Sequence, residues 1–336
     1  MPIRIAAVVP AYNRADELGE CLDSILAQRL PPAEIFVCDD GSSDGTDGVL
    51  ASYGDRVRWR TVANGGPAAA RAHAIAATSS PWIAPCDSDD LWETDHLERL
   101  AEAVARWPGT DLAFANFRFF GPGAAGGADK FSTAPPGWWE RFDGGRDGDF
   151  RYLGEAPYAA FLDFQPVFTT GMLYTRALYE AVGGTSPLVA RLPAEDAHLT
   201  RRMLSRATVA CDWKVTSLVR RHAGNFSGED LLNTEGRLLI LELLARDPLI
   251  RNRFGAATLD EADRTAEGLF HSYFYIRRFD WAAALVGGRR TLRSGWRGVF
   301  ARLLAGLGLG AAFSRYRGRH LDLGTLRARL GIATAD

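Results

Sequence analysis

Pro85-Cys-Asp-Ser-Asp-Asp-Leu-Trp92 is the stretch from which the organisation of this chain can be worked out. It follows a short apolar run, so a buried strand is predicted to end where three carboxylates begin. Like charges at this spacing repel one another unless a cation holds them together. The stretch therefore predicts a Mg²⁺ or Mn²⁺ site that holds a phosphorylated ligand. The alternative is an acidic turn that caps a helix beginning near Glu93. The three carboxylates are those of Asp87, Asp89 and Asp90.

The composition indicates a globular protein. With 336 residues, 47% of them hydrophobic, the chain can form one large domain or two smaller ones with a substantial core. The four cysteines are widely spaced, and no pair has metal-ligand spacing, so we expect reduced thiols in a cytoplasmic protein. The start of the chain does not resemble a signal peptide. The longest apolar stretch, 303–313, has 11 residues, whereas a membrane span needs about 20.

The charge is distributed unevenly along the chain. Residues 287–336 contain ten Arg and two Asp, a local charge of 10 − 2 = +8 within a total of −2, so the first 286 residues carry −10. Such a basic segment is typical of contact with an anionic membrane, here at its inner face, or of a solvated helix face. No nucleic-acid-binding motif accompanies it, and nucleic acid is the least favoured partner.

Strand and helix patterns alternate four times in the first 107 residues. Predicted strands cover 5–9, 34–38, 57–62 and 82–84, and amphipathic helical patterns follow them. Asn13 is a plausible cap for the first helix. This alternation predicts an α/β fold with a mostly parallel sheet flanked by helices.

In such folds, ligands bind beyond the carboxyl ends of the strands. Three loops are predicted to lie there, namely 10–14, 39–46 and 87–92.

The second half of the chain is less regular. Residues 112–120 read as a strand, and 121–149 form a long Gly-rich segment that we expect to be a mobile flap near an acceptor site, or else disordered. Glu195 and Asp196 fall in the first turn of a predicted helix, where carboxylates also suit the helix dipole. Two short strands are predicted over 208–212 and 215–221. Beyond 229 the pattern is helical, which places a domain boundary near 228.

Five motifs in this order resemble those of the family 2 glycosyltransferases, which are inverting, nucleotide-sugar-dependent enzymes with the GT-A fold. The resemblance covers roughly 3–227 and implies a GT-A catalytic domain over 1–228, with the nucleotide sugar bound by about 1–120 and the acceptor by about 121–228. A basic helical region then follows over 229–336. The motifs are Val8-Val-Pro-Ala-Tyr-Asn13, Asp39-Asp-Gly-Ser-Ser-Asp-Gly-Thr46, Asn64-Gly-Gly-Pro-Ala-Ala-Ala-Arg71, Asp87-Ser-Asp-Asp-Leu-Trp92 and Glu195-Asp196.

The resemblance also implies roles for individual residues. Asp89 is the expected metal ligand in the acidic DxD pair with Asp87, and Asp90 is left as a helix cap. Asp196 is the expected general base, with Glu195 beside it. His222 is expected to reach the diphosphate or the metal, and a strand-end hydrogen bond is the alternative. The residues expected around the nucleotide sugar are Pro10, Tyr12, Arg14, Asp40, Arg71, Asp87 and Ser88.

Physical chemistry agrees with these roles. Mg²⁺ and Mn²⁺ bind through one or two carboxylates plus substrate phosphates, and they neutralise charge on a departing nucleoside diphosphate. A carboxylate base activates the acceptor hydroxyl for attack at the anomeric carbon. The acceptor is expected to be a glycan, a lipid-linked intermediate or a small molecule.

Two departures from the family pattern stand out. After Gly183-Gly184 the chain continues Thr-Ser-Pro where the family commonly has Phe-Asp. The resemblance therefore does not assign the position of the acceptor-side loop. The Gln-x-x-Arg-Trp motif of processive synthases is missing from the sequence, so we expect transfer of a single sugar. A sugar nucleotidyltransferase and a non-catalytic nucleotide-sugar or glycan-binding module are the alternatives.

Overall fold

The computed structural model describes residues 3–124, 127–142, 144–222, 230–286, 296–309, 314, 316 and 318–332. These residues group into two compact units. The first consists of the described residues up to 191 and from 199 onward to 222. The second consists of 192–198 and the described residues from 230 onward. The predicted domain boundary near 228 lies outside the described residues.

The first unit is built on one mixed sheet of ten strands. Its strand order is β3-β2-β1-β4-β9-β6-β10-β8-β7, with β5 paired to β10. The strands are β1 (Ile5–Ala11), β2 (Glu34–Asp39), β3 (Arg58–Thr61), β4 (Trp82–Pro85), β5 (Leu91–Trp92), β6 (Leu112–Phe120), β7 (Arg146–Asp147), β8 (Phe150–Glu155), β9 (Met172–Thr175) and β10 (Thr208–Arg220). Its helices are α1 (Leu18–Leu26), α2 (Thr46–Ser52), α3 (Pro67–Ala76), α4 (His96–Arg106), α5 (Ala160–Asp163) and α6 (Arg176–Ala181). Of α7 (Glu195–Leu204), residues 199–204 belong to the first unit and 195–198 to the second.

Strands β1 to β4 are parallel to one another, as predicted. β1 lies between β2 and β4 and is parallel to both, and β3 extends the same set beyond β2. All seven residues of β1 are buried, which is typical of a strand covered on both faces. The chain moves outward from β1 to β3 and then returns to the other side of β1 as β4. The loops after β1 and β4 therefore meet at the point where the strand order reverses, which is where ligands bind in open α/β sheets.

β10 is a single long strand where two short ones were predicted. Its register against β6 shifts between Asp212 and Val215 and again between Val215 and Ser217. These bulges account for the break in the apolar pattern, because an extra residue in a strand interrupts the alternation of buried and exposed side chains.

The Gly-rich segment after β6 was expected to be a mobile flap or disordered, but over 131–142 it is anchored by buried aromatic side chains. Trp138 is fully buried and Trp139 nearly so. The indole of Trp138 donates to the Ala160 carbonyl at 2.9 Å, and the Trp139 ring lies 4.4 Å from that of Trp213. The sequence pattern did not reveal this core, because glycines that form turns separate its aromatic residues along the chain.

His96 gives the first unit a predictable sensitivity to acid. Its ring is fully buried, stacks on Trp92 at 4.9 Å and bonds through Nδ1 to Oγ1 of Thr216 at 2.8 Å. Burial lowers the pKa of His96 to about 3. The unfolded chain takes up this proton near pH 6.5, so the stabilisation is complete above that pH and is lost as the pH falls toward 3. We expect the free energy of unfolding to drop by about 1.4 kcal/mol between pH 7.5 and 5.5 through this residue alone.

Urea denaturation at the two pH values checks this expectation. In His96→Gln, which carries no titrating ring, the difference between the two free energies should be smaller than in the wild type by that amount. An unchanged difference would show that the ring is protonated in the folded state. His73→Gln is the control, because His73 is exposed.

The second unit is helical over its described residues beyond 230. Its helices are α8 (Asp230–Leu244), α9 (Pro248–Tyr275), α10 (Phe279–Val286), α11 (Trp296–Gly306) and α12 (Leu323–Arg329). α9 is the longest of these helices, with 28 residues. Asp247 accepts a hydrogen bond from the Leu249 N–H and Pro248 takes the first helical position, so an Asp-Pro start signal was present in the sequence. Among the described helices, none is both long and apolar enough to cross a bilayer.

Candidate active site

Asp90 is a structural residue of the acidic stretch, and its predicted role as a helix cap is wrong. α4 begins at His96, and the carboxylate of Asp90 instead accepts from the Arg220 N–H at 2.8 Å and from Oγ1 of Thr170 at 2.5 Å. Burial raises the pKa of Asp90 well above its usual range, and the charges of the other two motif carboxylates raise it further. Asp90 thus ties the loop after β4 to the end of β10.

Asp89 lies beside side chains from the first loop and from the end of β10. Its Oδ2 is 3.5 Å from Nη2 of Arg14 and 3.2 Å from Nε2 of His222. Nε of Arg220 donates to the Asp89 backbone carbonyl at 2.8 Å. The side chain of Asp89 keeps 12% of its surface exposed. An anion with access to solvent and surrounded by donors is suited to a cation and a phosphate together.

The side chains of Asp89 and His222 fit a divalent cation whose other ligands come from the substrate. Adjacent ligands of a cation with bonds of about 2.1 Å lie roughly 3 Å apart, close to the 3.2 Å between Asp89 Oδ2 and His222 Nε2. Within the described residues, groups of three or more His, Cys, Asp or Glu side chains at metal-binding distance do not occur. The protein would therefore supply few ligands, and phosphate and water oxygens would supply the others, as is usual for Mg²⁺.

Asp87 and Arg71 form a partly buried ion pair. Nη2 of Arg71, on α3, lies 2.9 Å from Oδ1 of Asp87, and the Arg71 side chain is only 6% exposed. Arg71 thus has a carboxylate partner within the protein, and its expected contact with the nucleotide sugar stays a prediction. The Asp87 N–H donates to Oγ1 of Thr170 at 3.2 Å, so Thr170 supports both Asp87 and Asp90. The motif spacing alone did not indicate Thr170, which lies 80 residues away from Asp90.

Asp40 is buried, and both of its carboxylate oxygens are occupied within the protein. They accept from the Gly65 N–H at 2.7 Å and the Gly66 N–H at 2.8 Å. Gly66 has a φ of +93°, and a Cβ there would lie 2.4 Å from the Ala190 carbonyl oxygen, so only glycine fits. Asp40 thereby shapes the turn before α3, and its contact with a nucleotide base stays a prediction.

Replacing Asp40 by asparagine is expected to destabilise the first unit. The amide has one carbonyl oxygen for two backbone donors, and its NH₂ group faces one of them. Hydrogen bonds to a charged partner contribute about 1.5 to 3 kcal/mol each, so we expect a loss of about 2 to 3 kcal/mol. Chemical denaturation measures it, with Asp55→Asn at an exposed site as the control. Unchanged stability with weakened nucleotide binding would instead favour a role restricted to the base.

The first loop is joined to the second by hydrogen bonds. The N–H of Asn13 donates to Oγ of Ser42 at 2.8 Å, and the Ser43 N–H donates to Oδ1 of Asn13 at 2.9 Å. The predicted role of Asn13 as a helix cap is therefore wrong, because its side chain serves the neighbouring loop. Tyr12 is half exposed beside it. Of the other residues predicted to bind the nucleotide sugar, Pro10 and Ser88 are buried.

Glu195 and Asp196 begin α7, as predicted. Glu195 is buried and Asp196 is half-buried. Ala194, just before them, has a φ of +60°, which is strained for a residue with a side chain. The segment 192–198 groups with the helical unit. The role of Asp196 as the base stays a prediction.

The fold is of the GT-A type, with an acidic DxD stretch where the parallel strand order reverses. Residues 6–154 match the family model described as Glycosyl transferase family 2. The solved structures similar to this chain share its fold. S. aureus TarS 1-349 in complex with UDP has a TM-score of 0.59 at 16% identity, covering 95% of each chain. Mannosyltransferase PcManGT from Pyrobaculum calidifontis, in complex with GDP-Man and Mn²⁺, has a TM-score of 0.51 at 18% identity, covering 98% of this chain and 83% of that one.

Curated relatives are similar over shorter stretches. Succinoglycan biosynthesis protein ExoO of Rhizobium meliloti (strain 1021) is 41% identical over 101 residues, which are 29% of each chain. The poly(ribitol-phosphate) beta-glucosyltransferase of Bacillus spizizenii (strain ATCC 23059 / NRRL B-14472 / W23) is 37% identical over 112 residues, or 31% of this chain and 17% of that protein. The chain thus spans less than a third of the length of these two relatives.

Proposed function

We propose that this protein is a metal-dependent, inverting glycosyltransferase that moves one sugar from a nucleotide-diphosphate sugar to a hydroxyl acceptor. The observation that carries the proposal is the environment of Asp89. Its carboxylate, at the end of β4, lies within 3.2 Å of His222 and 3.5 Å of Arg14. A carboxylate between an imidazole nitrogen and a guanidinium is suited to a divalent cation and a diphosphate at once.

Each residue has a distinct part in the proposed reaction. Asp89 and His222 hold the divalent cation, Mn²⁺ or Mg²⁺, which when bound neutralises charge on the leaving nucleoside diphosphate. Arg14 adds a guanidinium that binds phosphate oxygens. The carboxylate of Asp196 accepts the proton of the acceptor hydroxyl as its oxygen attacks the anomeric carbon. The bond to the diphosphate breaks on the opposite face, so the configuration at the anomeric carbon inverts.

The names of similar proteins support the donor class and the setting. The similar structures hold UDP, UDP-GlcNAc or GDP-Man, all nucleotides or nucleotide sugars. The relatives' names refer to succinoglycan and poly(ribitol-phosphate), both polymers made by bacteria. We propose that the protein acts in the cytoplasm in the synthesis of a surface polysaccharide or glycoconjugate. Its acceptor is a glycan, a lipid-linked intermediate or a small molecule.

A donor panel tests the proposed reaction. The full chain is incubated with UDP, GDP and dTDP sugars, with Mn²⁺ or with EDTA, and the products are separated. Release of nucleoside diphosphate that depends on Mn²⁺ supports a glycosyltransferase. Release of pyrophosphate would indicate a nucleotidyltransferase instead. Binding of a nucleotide sugar without turnover, in the presence of candidate acceptors, would indicate a non-catalytic module.

The basic segment 287–336 is proposed to make peripheral contact with an anionic membrane. α11 packs through its buried Ala301 side, while Val299, Leu303 and Leu307 are 46%, 62% and 70% exposed. These three residues are spaced by four and lie on one helical face, since the Leu307 N–H still bonds to the Leu303 carbonyl. Arg302 lies beside them and is exposed. Exposed leucines beside arginines, in a segment of charge +8, match the chemistry of an anionic lipid surface.

Vesicle flotation tests this contact. The full chain should bind vesicles that contain phosphatidylglycerol, bind those of phosphatidylcholine weakly, and dissociate as salt is raised. Leu303→Glu should lower binding about tenfold or more, because a leucine no longer enters the lipid. The matched control is Leu259→Glu, at an exposed position on α9. Equal binding by both variants, or a concentration-dependent dimer that Leu303→Glu disrupts, would contradict the proposal.

A further inference from the structure

α8 touches the segment that leads into α7, and only a glycine permits this approach. A Cβ at Gly236 would lie 2.3 Å from the Pro193 carbonyl oxygen and 3.0 Å from the Pro193 carbonyl carbon. Real Cβ atoms do not come so close to backbone atoms. The peptide two residues before Glu195 therefore rests directly on the backbone of α8.

α8 is itself held firmly within the helical unit. Glu235, the neighbour of Gly236, is fully buried; its Oε1 accepts from the Tyr273 hydroxyl at 2.5 Å and its Oε2 from the Leu321 N–H at 2.5 Å. Seven residues further along, Glu242 forms an almost fully buried ion pair with Arg327 of α12. Buried carboxylates whose oxygens are all bonded fix the parts they join, because leaving one of them unpaired is costly.

We propose that the helical unit positions the acidic pair Glu195-Asp196, with Gly236 as the positioning residue. The strained Ala194 lies between the contact at Pro193 and the start of α7. A left-handed alanine costs on the order of 1 kcal/mol and persists only where its surroundings impose it. The contact with α8 imposes it here, and so sets the direction in which α7 begins. The inference rests on the proposed function, in which Asp196 is the base.

A pair of glycine-to-alanine variants in the full chain tests the proposal. Gly236→Ala places a methyl group against Pro193, whereas Gly268→Ala adds the same methyl to α9 with nothing within 4 Å. Both changes raise the intrinsic helix propensity equally. We expect Gly236→Ala to lower kcat for sugar transfer by about tenfold or more, since small displacements of a catalytic group are costly. Its Kd for the nucleotide, with Mn²⁺ present, should stay within about twofold of the wild type, because the DxD stretch belongs to the other unit.

Several outcomes would overturn the inference. Wild-type kcat in Gly236→Ala would do so, as would a parallel loss of kcat and of nucleotide affinity. If Gly236→Ala does not fold, Glu235→Gln loosens α8 without touching Pro193, and it should lower kcat while preserving nucleotide affinity; unchanged kcat would contradict the proposal. Equal rates of transfer by all variants would refute the positioning role of Gly236 and leave the proposed function standing. Absence of transfer by the wild type with any donor would refute the proposed function itself.

Discussion

Asp89→Asn is expected to abolish most of the sugar transfer, with a loss of about 10²- to 10³-fold in kcat. Asparagine keeps the size of the side chain and removes its negative charge. The cation then loses a protein ligand, and the guanidinium of Arg14 loses the anion that lies 3.5 Å from it. The site becomes more positive and less able to hold the metal.

The measurement is kcat as a function of Mn²⁺ concentration. In Asp89→Asn, half-saturation should move to higher Mn²⁺, and the maximum rate should stay below that of the wild type. Asp55→Asn, at an exposed site on the same unit, should behave as the wild type. A variant with wild-type turnover and an unchanged Mn²⁺ dependence would remove Asp89 from the metal site.

Asp196→Asn is expected to have the second large effect, a loss of about 10²- to 10⁴-fold in kcat. The amide cannot accept the proton of the acceptor hydroxyl. Nucleotide binding should be retained, since the acidic DxD stretch is unaltered. Stability should change little, because Asp196 is only half-buried.

Turnover and nucleotide binding are measured on the same preparation, by product formation and by calorimetric titration with the nucleotide. The informative comparison is Glu195→Gln, which alters the buried neighbour and leaves the proposed base. A greater loss in Glu195→Gln than in Asp196→Asn would exchange the roles of the two residues. Equal loss of binding and turnover in Asp196→Asn would indicate a structural role.

The parallel part of the sheet followed from local patterns. Short runs of three to five residues, each followed by a motif loop, correctly predicted β1, β2 and β4 and the placing of three loops at their carboxyl ends. β10 was predicted as two strands because its bulge breaks the alternation that identifies a strand. The aromatic core around Trp138 was missed because local patterns do not show which aromatic residues from separate segments pack together.

The roles within Asp87-Ser-Asp-Asp90 show the limit of sequence reasoning at the site. The motif predicted a cation site, but it did not show the surroundings of each carboxylate. Asp90 is buried against Thr170 and Arg220, Asp87 pairs with Arg71 and is 27% exposed, and Asp89 lies beside Arg14 and His222 and is 12% exposed. Residues that adjoin in sequence thus have unlike surroundings, because each side chain turns toward a different distant element.

The sequence by itself determined the α/β class, the strands that end at the site, and the kind of chemistry that clustered carboxylates support. These properties depend on periodicity and on neighbours along the chain, which one-dimensional patterns record. Only the tertiary structure decided that His222 and Arg14 lie beside Asp89, that Asp40 shapes the turn before α3, and that Gly236 supports the segment before α7. Those contacts join residues far apart in the chain, and they exist only once the sheet and the helices have packed.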